Sequence, residues 1–496
     1  MSIGFKLIDP NAAASAVFLE QEYLRASLGG LLVPHKLLLV GQWRTGQTPA
    51  PTPNVPQLLL SADHAATLYG LGSPLHIMAI AAFAGCRNVP VYALPITAGG
   101  GAVMATGTIN PTLTTVTAGT LSLYIAGKRV QVGVAATDTE EDICDAIAAA
   151  INAMTELPVT ATSESTDVKL DAKWLGLSGN DIDIAFDLVD GEADQEPGGI
   201  TWVITPMATG ATDPTIDTAL AALDDTWYTE IVSQWTVDAQ LDDIEDAGDA
   251  RVLPGIQRPF AGFAGYNGTL ADFLTLLSSR NSAWTTLVPV DGSPNLKFEI
   301  AAAAAGVYAA GQQSRPGCPV RGSKLPEIMG GGVRWTYAQR DIVVKTGGST
   351  FRVSPDGLVL IEDLCTTRTT NPLGALDESF RWTETIANLQ AKLYSLEQVF
   401  ASDPFVNAVV VDDDSVTTAS YALRPKTAKA YTIRLIDDLW VPYALTKNRD
   451  AVVAGIIAEI NGGNAGRIDV FVPDVFAAGL KIIAGRLQWS FTAPVA

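Results

Sequence analysis

The chain has 496 residues, of which 48% are hydrophobic and only 17% charged, and its formal net charge is −21. The acidic balance argues against nucleic-acid binding, which needs Lys and Arg to displace counterions, and against docking on anionic lipid. The length suggests about three domains. The low charged fraction suggests that copies of the chain cover much of its surface, although an Ala- and Gly-rich α/β protein would also fit.

The N-terminal residues have the pattern of a strand with one apolar face. In MSIGFKLI, Ile3, Phe5 and Leu7 alternate with residues of other types. The start has no uninterrupted apolar run, so we expect no signal peptide. The most apolar helical stretch, LHIMAIAAFAGC, is too short to span a bilayer, so we expect no direct membrane insertion. The four cysteines are far apart and form no CxxC, which predicts reduced thiols.

Residues 21–106 and 206–344 alternate between strand and helix patterns. HKLLLVGQW predicts a buried strand, and in SPLHIMAIAAFA Ser73 and Pro74 give a strong helix start. VPVYALPI is the next strand. After residue 206 follow helix TIDTALAAL, strand WYTEIVSQW, helix DAQLDDIEDAG, strand PFAGFAGY, helix TLADFLTLLSSR, strand WTTLVPV and an Ala-rich helix near 297–311. This alternation predicts one discontinuous α/β core domain with a mostly parallel sheet.

Residues 107–205 are compositionally distinct from the rest of the chain. They contain sixteen Asp and Glu but only four Lys and Arg, a net charge of −12. Turn-prone stretches flank the block, and both contain Met-Ala-Thr-Gly. Such similar flanks suggest a domain inserted into a host domain, with its entry and exit close together. Because so many negative charges would repel inside a wall of packed copies, we expect the insert to face outward and to be dispensable for polymerisation.

Inside the insert, the patterns predict a small α+β, mainly β, fold. TLSLYIAGKRVQVGVAA suggests two strands around an Ala-Gly turn, and LPVTATSESTDVKLDAKWLGLSGNDIDIAFDL suggests further strands. DTEEDICDAIAAAINA predicts a helix, with Asp138 or Thr139 as its cap. Ile143, Ile147 and Ile151 recur at four-residue spacing and should form its buried stripe.

Residues 345–485 suggest a separate C-terminal α+β domain for assembly. STFRVSPDGLVLIE predicts a hairpin, and residues 383–401 predict an amphipathic helix. AYTIRLIDDLW favours a strand, TKNRDAVVAGIIAEINGG a helix stopped by glycine, and RIDVFVP a strand. In residues 486–496, Leu487, Trp489 and Phe491 alternate with polar residues, which predicts a closing strand left without cover in its own chain. The fold class is therefore α/β plus α+β, multidomain.

The sequence offers no recognisable catalytic, cofactor or metal site. It contains only three histidines, no HExxH, no P-loop and no GxSxG. Asp181, Asp183 and Asp187 could hold calcium on one strand face, although a solvated face explains them better. We therefore expect a protein that is not an enzyme, with no cofactor. The three histidines are His35, His64 and His76.

Several stretches resemble contractile phage tail sheath proteins of the Mu-like family. They are ADHAATLYGLGSPLHIMAIAAFAGCRNVPVYALPI, the insert from AGKRVQVGVAATDTEED to WLGLSGNDI, FAGYNGTLADFLTLLSSRNSAW and GRIDVFVPDVFAAGLKIIAGRLQWSF. The resemblance covers nearly the whole chain, and the order of the stretches is more specific than any one of them. The family carries a subtilisin-like label for part of its fold, but no triad here supports a protease activity.

The resemblance implies a structural subunit of a contractile sheath. Such subunits form stacked hexameric rings around a tail tube and shorten to drive the tube through the host envelope. Terminal arms add strands to a small sheet in a neighbour's C-terminal domain, which here implies an N-terminal arm at residues 1–20 and a C-terminal arm at 486–496. The expected partners are other copies, the tail tube protein, and baseplate and tail terminator proteins. The implied location is the virion tail, assembled in the host bacterial cytoplasm.

The resemblance also implies a contact with the tail tube, and two alternatives to the sheath hypothesis stay open. A helix of the C-terminal domain meets the tube in this family, and the matching residues here are Lys447 and Arg449, which surface solvation would explain as well. One alternative keeps the fold but places it in a phage-derived bacteriocin or a type VI-like injection apparatus. The other is a soluble α/β hydrolase, which predicts a monomer with a deep polar pocket.

Overall fold

A computed structural model of the chain describes residues 32–86, 88–188 and 196–489. The chain forms two compact units. Among the described residues, the core unit comprises Pro34–Gln390 and Ala477–Trp489, and the C-terminal unit comprises Ala391–Phe476 together with Leu32 and Val33. Among the described residues, no helix combines the length and apolarity that a bilayer-spanning segment requires.

Strands and helices are numbered along the chain. The strands of the core unit are β1 (Leu37–Gly41), β2 (Gln57–Leu59), β3 (Val91–Pro95), β4 (Met104–Leu113), β5 (Gly119–Ile125), β6 (Lys128–Val134), β7 (Val159–Glu164), β8 (Asp167–Leu175), β9 (Ile184–Phe186), β10 (Ile200–Ala208), β11 (Glu230–Ser233), β12 (Ala261–Tyr266), β13 (Thr285–Pro289), β14 (Lys324–Met329), β15 (Thr350–Val353) and β16 (Leu358–Asp363). Those of the C-terminal unit are β17 (Val409–Val410), β18 (Ala422–Leu423), β19 (Ile457–Ile460) and β20 (Ile468–Phe471).

The helices are assigned in the same way. They are α1 (Ala62–Tyr69), α2 (Pro74–Gly85), α3 (Glu140–Ala153), α4 (Asp217–Ala221), α5 (Asp238–Val252), α6 (Leu270–Ser278), α7 (Lys297–Ser314), α8 (Tyr337–Lys345), α9 (Thr383–Phe400), α10 (Pro425–Leu435) and α11 (Arg449–Gly455), with a 3-10 turn at Leu177–Asp181 and a π-helical turn at Ile436–Trp440. Helix α9 contains residues of both units.

The centre of the core unit is a six-stranded sheet in the order β13-β12-β11-β1-β3-β2. Its first five strands are parallel and β2 is antiparallel, which confirms the mostly parallel sheet predicted from the alternating patterns. Every residue of β1 is buried, as expected for a strand covered on both faces. Ser73 caps α2 by accepting a hydrogen bond from the His76 backbone N–H, and Pro74 is the first helical residue.

The insert forms two antiparallel sheets, β10-β4-β8-β7 and β6-β5-β9, with α3 packed on them. Thr139 caps α3 in a capping box, and the three predicted isoleucines are buried. Its two ends are neighbours, because β4 pairs with β10 and the Val103 backbone N–H donates to the Ala211 carbonyl at 3.0 Å. The insert therefore enters and leaves its host domain at adjacent points, as predicted.

The insert also shares a core with its host. Trp174 and Phe298 are both fully buried and meet edge to face, with 5.9 Å between ring centroids. Gln234 Nε2 donates to Ser178 Oγ at 2.8 Å, so a polar contact accompanies the apolar one. The carboxylate of Asp181, which belongs to the 3-10 turn and not to a strand, pairs with Lys297 at 2.8 Å. The insert is therefore not a separable appendage.

The hairpin predicted around Pro-Asp-Gly is present as β15 and β16. Strand β14 pairs with β16 to complete a three-stranded sheet. The predicted boundary at residue 345 lies within this arrangement, because residues on both sides of it belong to one sheet. The compact core unit extends instead to Gln390. Strand pairing across a helix gave no signal in the local composition, which is why the boundary was misplaced.

Two predictions in the C-terminal unit are wrong. AYTIRLIDDLW belongs to α10 and the π-helical turn that follows it. Its buried residues recur at helical spacing, and Pro425 at the first helical position starts the helix. The helix predicted from TKNRDAVVAGIIAEINGG ends at Gly455, and the isoleucines that follow enter β19. Gly455 is the point where Pro473 approaches the backbone, so a side chain there would collide with the proline ring.

The C-terminal unit has an apolar core of its own. Trp440, fully buried, donates from Nε1 to Ser395 Oγ at 3.0 Å. Lys392 is buried beside it, pairs with Asp474 and lies 3.7 Å from the centroid of the Phe476 ring. Burial lowers the pKa of Lys392 to about 8. The remaining members of this core are Ala391, Leu435, Ile436, Leu439, Leu445, Val452 and Ile456.

Candidate assembly segments

Strands β19 and β20 form a two-stranded antiparallel sheet within the described part of the C-terminal unit. Ile457 lies opposite Phe471, and their side chains are 55% and 59% exposed. Val470, on the other face, packs against the apolar core of the unit. An isolated two-stranded sheet is marginal in water, and further strands normally complete it. Among the described residues, no further strand pairs with either edge of this sheet, and its outward apolar side chains are exposed.

Turn chemistry explains why this hairpin forms. The Asn461 backbone N–H donates to the Arg467 carbonyl at 2.9 Å, and its side chain accepts from the Gly463 N–H at 3.0 Å. Asn461 Nδ2 also donates to Asp469 Oδ2 at 2.7 Å, across the start of the ladder. Gly462 and Gly463 were predicted to stop a helix. Asn-Gly between two apolar, β-branched runs is equally a hairpin signal, and it would have located the sheet.

The C-terminal segment is described from Ala477 to Trp489 and forms no strand in that range. The strand predicted for the end of the chain is therefore absent up to Trp489, and Phe491 lies outside the described residues. Leu487 is 87% exposed and Trp489 is 72% exposed. Strand geometry needs a neighbouring strand, and none of the strands in the described residues pairs with residues 477–488. The apolar side chains of the predicted arm are thus presented to solvent.

The N-terminal arm cannot be placed in the same way. Ile3, Phe5 and Leu7, predicted to exchange strands between subunits, lie outside the described residues.

The two candidate tube-contacting residues differ in their surroundings. Arg449 opens α11 and binds Asp437 with two nitrogens, at 2.7 and 2.8 Å. This pairing raises the pKa of Arg449 and lowers the pKa of Asp437. Its third contact is to Asp450 at 3.0 Å. Lys447 is exposed, and its backbone N–H donates to the Val475 carbonyl at 2.8 Å. The charge of Arg449 is therefore neutralised locally, whereas the Lys447 side chain extends into solvent.

The histidines have structural surroundings. His35 Nδ1 lies 2.6 Å from Glu230 Oε1, and both side chains are fully buried in the central sheet. His76 is buried near the start of α2, and its Nδ1 accepts from the Gly72 N–H at 3.1 Å. Burial lowers the pKa of His76. Among the described residues, no group of three or more His, Cys, Asp or Glu could hold a metal ion.

The chain is 26% identical to the Mu-like prophage FluMu tail sheath protein of Haemophilus influenzae. The alignment extends over 499 residues and covers 99% of this chain and 100% of that protein. The resemblance to the Mu-like tail sheath proteins is confirmed. Because the match covers 99% of the chain, it takes in the insert as well as its host domain. No protein-family model matches the chain.

Solved sheath structures align over most of the chain at low identity. The contracted helical sheath of the anti-feeding prophage is 12% identical, with a TM-score of 0.48 over 96% of this chain and 99% of that one. A sheath tail protein from Desulfitobacterium hafniense is 13% identical, with a TM-score of 0.47 over 94% of this chain and 100% of that one.

Proposed function

We propose that the chain is the structural, non-enzymatic subunit of a contractile tail sheath. Copies polymerise as stacked hexameric rings around a tail tube and contract to drive the tube through the host envelope. The end-to-end similarity to a tail sheath protein supports this role. The energy for contraction comes from new contacts between subunits in the shortened state and not from a nucleotide.

The observation that carries the proposal is the incomplete sheet β19–β20. The described residues of the C-terminal unit contribute two strands to this sheet, and no other described strand pairs with its edges. The apolar end of the chain, with Leu487 and Trp489 exposed, supplies a strand that can pair there in a neighbouring copy. Each added backbone hydrogen bond contributes about 0.5–1.5 kcal/mol. A few bonds per joint, repeated along a polymer, give a stable connection, and Ile3, Phe5 and Leu7 are proposed to make the second joint.

The remaining partners follow from the same role. The tail tube protein lies inside the rings, and Lys447 is the better candidate for contact with it because the charge of Arg449 is already paired with acidic neighbours. Baseplate and tail terminator proteins would close the two ends of the sheath. The acidic insert, net −12, would face outward, away from the tube. The subunit belongs to the virion tail and assembles in the host bacterial cytoplasm.

A second candidate function keeps the same subunit but changes the machine. A phage-derived bacteriocin or a type VI-like injection apparatus would need the same polymer and the same joints. Genes for a capsid beside this one would favour the phage tail, and their absence from an otherwise complete cluster would favour the alternatives.

Size-exclusion chromatography combined with negative-stain microscopy of the purified chain tests the proposal against a soluble hydrolase. We expect rings or tubes of defined diameter that elute far ahead of a 52.2 kDa monomer. A protein that stays monomeric at high concentration, in low and high salt, and in the presence of a tube protein would contradict the proposed function.

A further inference from the structure

The segment that precedes the C-terminal arm is held on the core unit by one lysine. Lys481 Nζ lies 2.7 Å from Glu384 Oε1 and 3.3 Å from Asp363 Oδ1. The ammonium also lies 4.0 Å from the centroid of the Trp382 ring, at a distance suited to a cation–π contact. Only 13% of the Lys481 side chain is exposed, so the site encloses it.

Two backbone contacts fix the segment around this lysine. Arg321 Nη1 donates to the Lys481 carbonyl at 2.8 Å. Gly479 lies against Pro319 so closely that a β-carbon on it would overlap Pro319 Cγ and lie 2.8 Å from Cδ. The backbone therefore enters a space that only a glycine fits, and its direction is set at residues 479 and 481.

The neighbouring side chains show that this contact is not ordinary hydrophobic packing. Leu480, Ile482 and Ile483 are all exposed, while the charged residue between them is enclosed. This reverses the usual preference, in which aliphatic side chains are buried and lysine is not. Glu384 is itself buried, and burial raises the pKa of its carboxyl while Lys481 opposes that rise. The core unit thus holds a buried carboxylate whose partner cation comes from the C-terminal segment.

We propose that Lys481 is a positioning residue that fixes the root of the C-terminal arm on the core unit. This inference rests on the proposed function and adds a specific anchor to it. Residues beyond Lys481 then leave the subunit from a defined point, and load on the arm passes through Lys481 into Asp363 and Glu384. Without the anchor the segment is free from Ala477, which adds up to about 17 Å of slack to the tether. A longer tether lowers the effective concentration of the arm at its acceptor and loosens the spacing between rings.

Matched glycine variants test the anchor without removing a charge. Gly479→Ala should displace the segment, because its β-carbon overlaps Pro319. Gly485→Ala makes the same change in the same segment at a position with no neighbour within 4 Å. In isolated subunits we expect cleavage by proteinase K between residues 479 and 482 to accelerate about tenfold with Gly479→Ala and not with Gly485→Ala, because release from Pro319 exposes this stretch of backbone to the protease. Polymers of the first variant should lose regular ring spacing, and those of the second should match the wild type.

A charge-removal pair separates positioning from a merely structural role. Lys481→Met leaves Glu384 buried without its cation, so it lowers stability as well as releasing the segment. Adding Glu384→Gln removes that buried charge and should recover most of the melting temperature. Positioning predicts that the double variant, although stable, is still cleaved rapidly between residues 479 and 482 and still assembles with irregular spacing. Regular tubes from the double variant would overturn the proposal.

The two proposals fail in distinguishable ways. If the wild-type chain forms no polymer, the sheath role fails, while proteolysis of the isolated subunit still reports whether the segment is anchored. If the wild type forms regular tubes but Gly479→Ala forms equally regular tubes, or if the isolated wild-type subunit is cleaved between residues 479 and 482 as fast as an unstructured peptide, the anchor is wrong and the sheath role stands.

Discussion

Ile457 and Phe471 face each other across β19 and β20, and more than half of each side chain is exposed to solvent. A cross-strand aliphatic–aromatic pair stabilises a sheet best when both side chains are removed from water. Here the pair lies on the outward face of a sheet that has two strands among the described residues. The relationship is the one expected of a surface that a second subunit completes.

Charging this face should block assembly and spare the fold. Phe471→Asp places a carboxylate where a neighbour would cover it, at a cost of several kcal/mol per joint if it is buried unpaired. Since Phe471 is exposed in the subunit, the melting temperature of the isolated protein should change little. Tyr421→Asp is the matched control, because Tyr421 is an aromatic residue of the same unit with the same 59% exposure. Sedimentation and microscopy should show tubes for the control alone; equal assembly by both variants would contradict the assignment.

The C-terminal arm has its own matched pair of substitutions. Trp489→Asp places a charge on the apolar face of the added strand, whereas Gln488→Asp places it on the opposite face. We expect a folded subunit that fails to polymerise with the first change and one that assembles with the second. Deleting residues 486–496 should have the effect of the first change while leaving the α/β core folded.

Circular dichroism of the isolated subunit decides how to interpret the arm variants. If Trp489→Asp unfolds the subunit, the segment belongs to the core of its own chain and strand exchange at this end is wrong. If Gln488→Asp blocks assembly as strongly as Trp489→Asp, the two faces of the arm are not distinguished as proposed.

Glu299 predicts a specific dependence of stability on pH. Its carboxyl is buried in α7, accepts from Asn295 Nδ2 at 2.9 Å and has Lys128 Nζ at 3.8 Å. Burial raises its pKa from 4.5 to about 6. The folded state therefore holds this proton more tightly than the unfolded state, so the free energy of unfolding falls as the pH rises from about 4.5 past 6. The difference corresponds to about 2 kcal/mol at neutral pH.

Glu299→Gln removes this titration. Urea unfolding should show the variant about 2 kcal/mol more stable than the wild type at pH 7.5, with the difference vanishing at low pH, near 4. Glu327→Gln is the control, because Glu327 pairs with the same Lys128 at 3.4 Å but is half exposed. Because the buried Glu299 carboxyl remains, Glu327→Gln should still lose stability as the pH rises past 6. A Glu299→Gln variant that is less stable at pH 7.5, or equally offset at both pH values, would contradict the assigned cause.

Deleting the insert should destabilise the protein. The charge of residues 107–205 alone predicts that they can be removed and that tubes still form, but the insert shares a core with its host. Deletion removes Trp174 and exposes Phe298 and its neighbours, at a cost of the size seen for losing a buried tryptophan, about 3–5 kcal/mol. Thermal unfolding of the deletion variant should show a much lower melting temperature and a tendency to aggregate. A deletion variant as stable as the full chain would show that the shared core matters little.

The central sheet could be predicted from the sequence because each of its strands and helices carries a strong local signal. β1 is an apolar run, α2 begins with Ser73 and Pro74, and the insert helix has a capping box and a four-residue isoleucine repeat. Alternation of such elements leaves few topologies other than a parallel sheet. The similar flanks of the insert also indicated its paired ends, which β4 and β10 bear out.

The failures share a physical cause, which is that short apolar runs do not distinguish helix from strand. In α10 the β-branched residues of AYTIRLIDDLW favoured a strand, but packing at helical spacing in the C-terminal unit overrides that preference. At β19 the preference for a helix lost to the hairpin turn at Asn461. The packing partners of α10 lie in other elements of the unit, whereas the turn after β19 is local in sequence and carries a hairpin signal.

For the candidate assembly segments, the sequence identified the apolar end of the chain but not what holds it. Leu487 and Trp489 were recognisable from their alternation, and both are exposed. The anchor at Lys481 depends on Asp363, Trp382 and Glu384, which lie about 100 residues earlier and meet the lysine only in the folded chain. A single lysine in an apolar stretch of sequence does not reveal which distant residues it will contact.

Cross-linking in polymers of mixed subunits tests the central claim, strand exchange between copies, most directly. Gln488→Cys and Glu459→Cys place one thiol on the arm and one on β19, in a background where Cys318, the one native cysteine that is not buried, is replaced by Ser. Each cysteine is carried by a different subunit, one of them isotopically heavy, and a short bismaleimide joins them after assembly. The account predicts heavy–light cross-links between the arm and β19 in tubes and none in monomers. Regular tubes that yield no cross-link between arm and β19 of different subunits would contradict it.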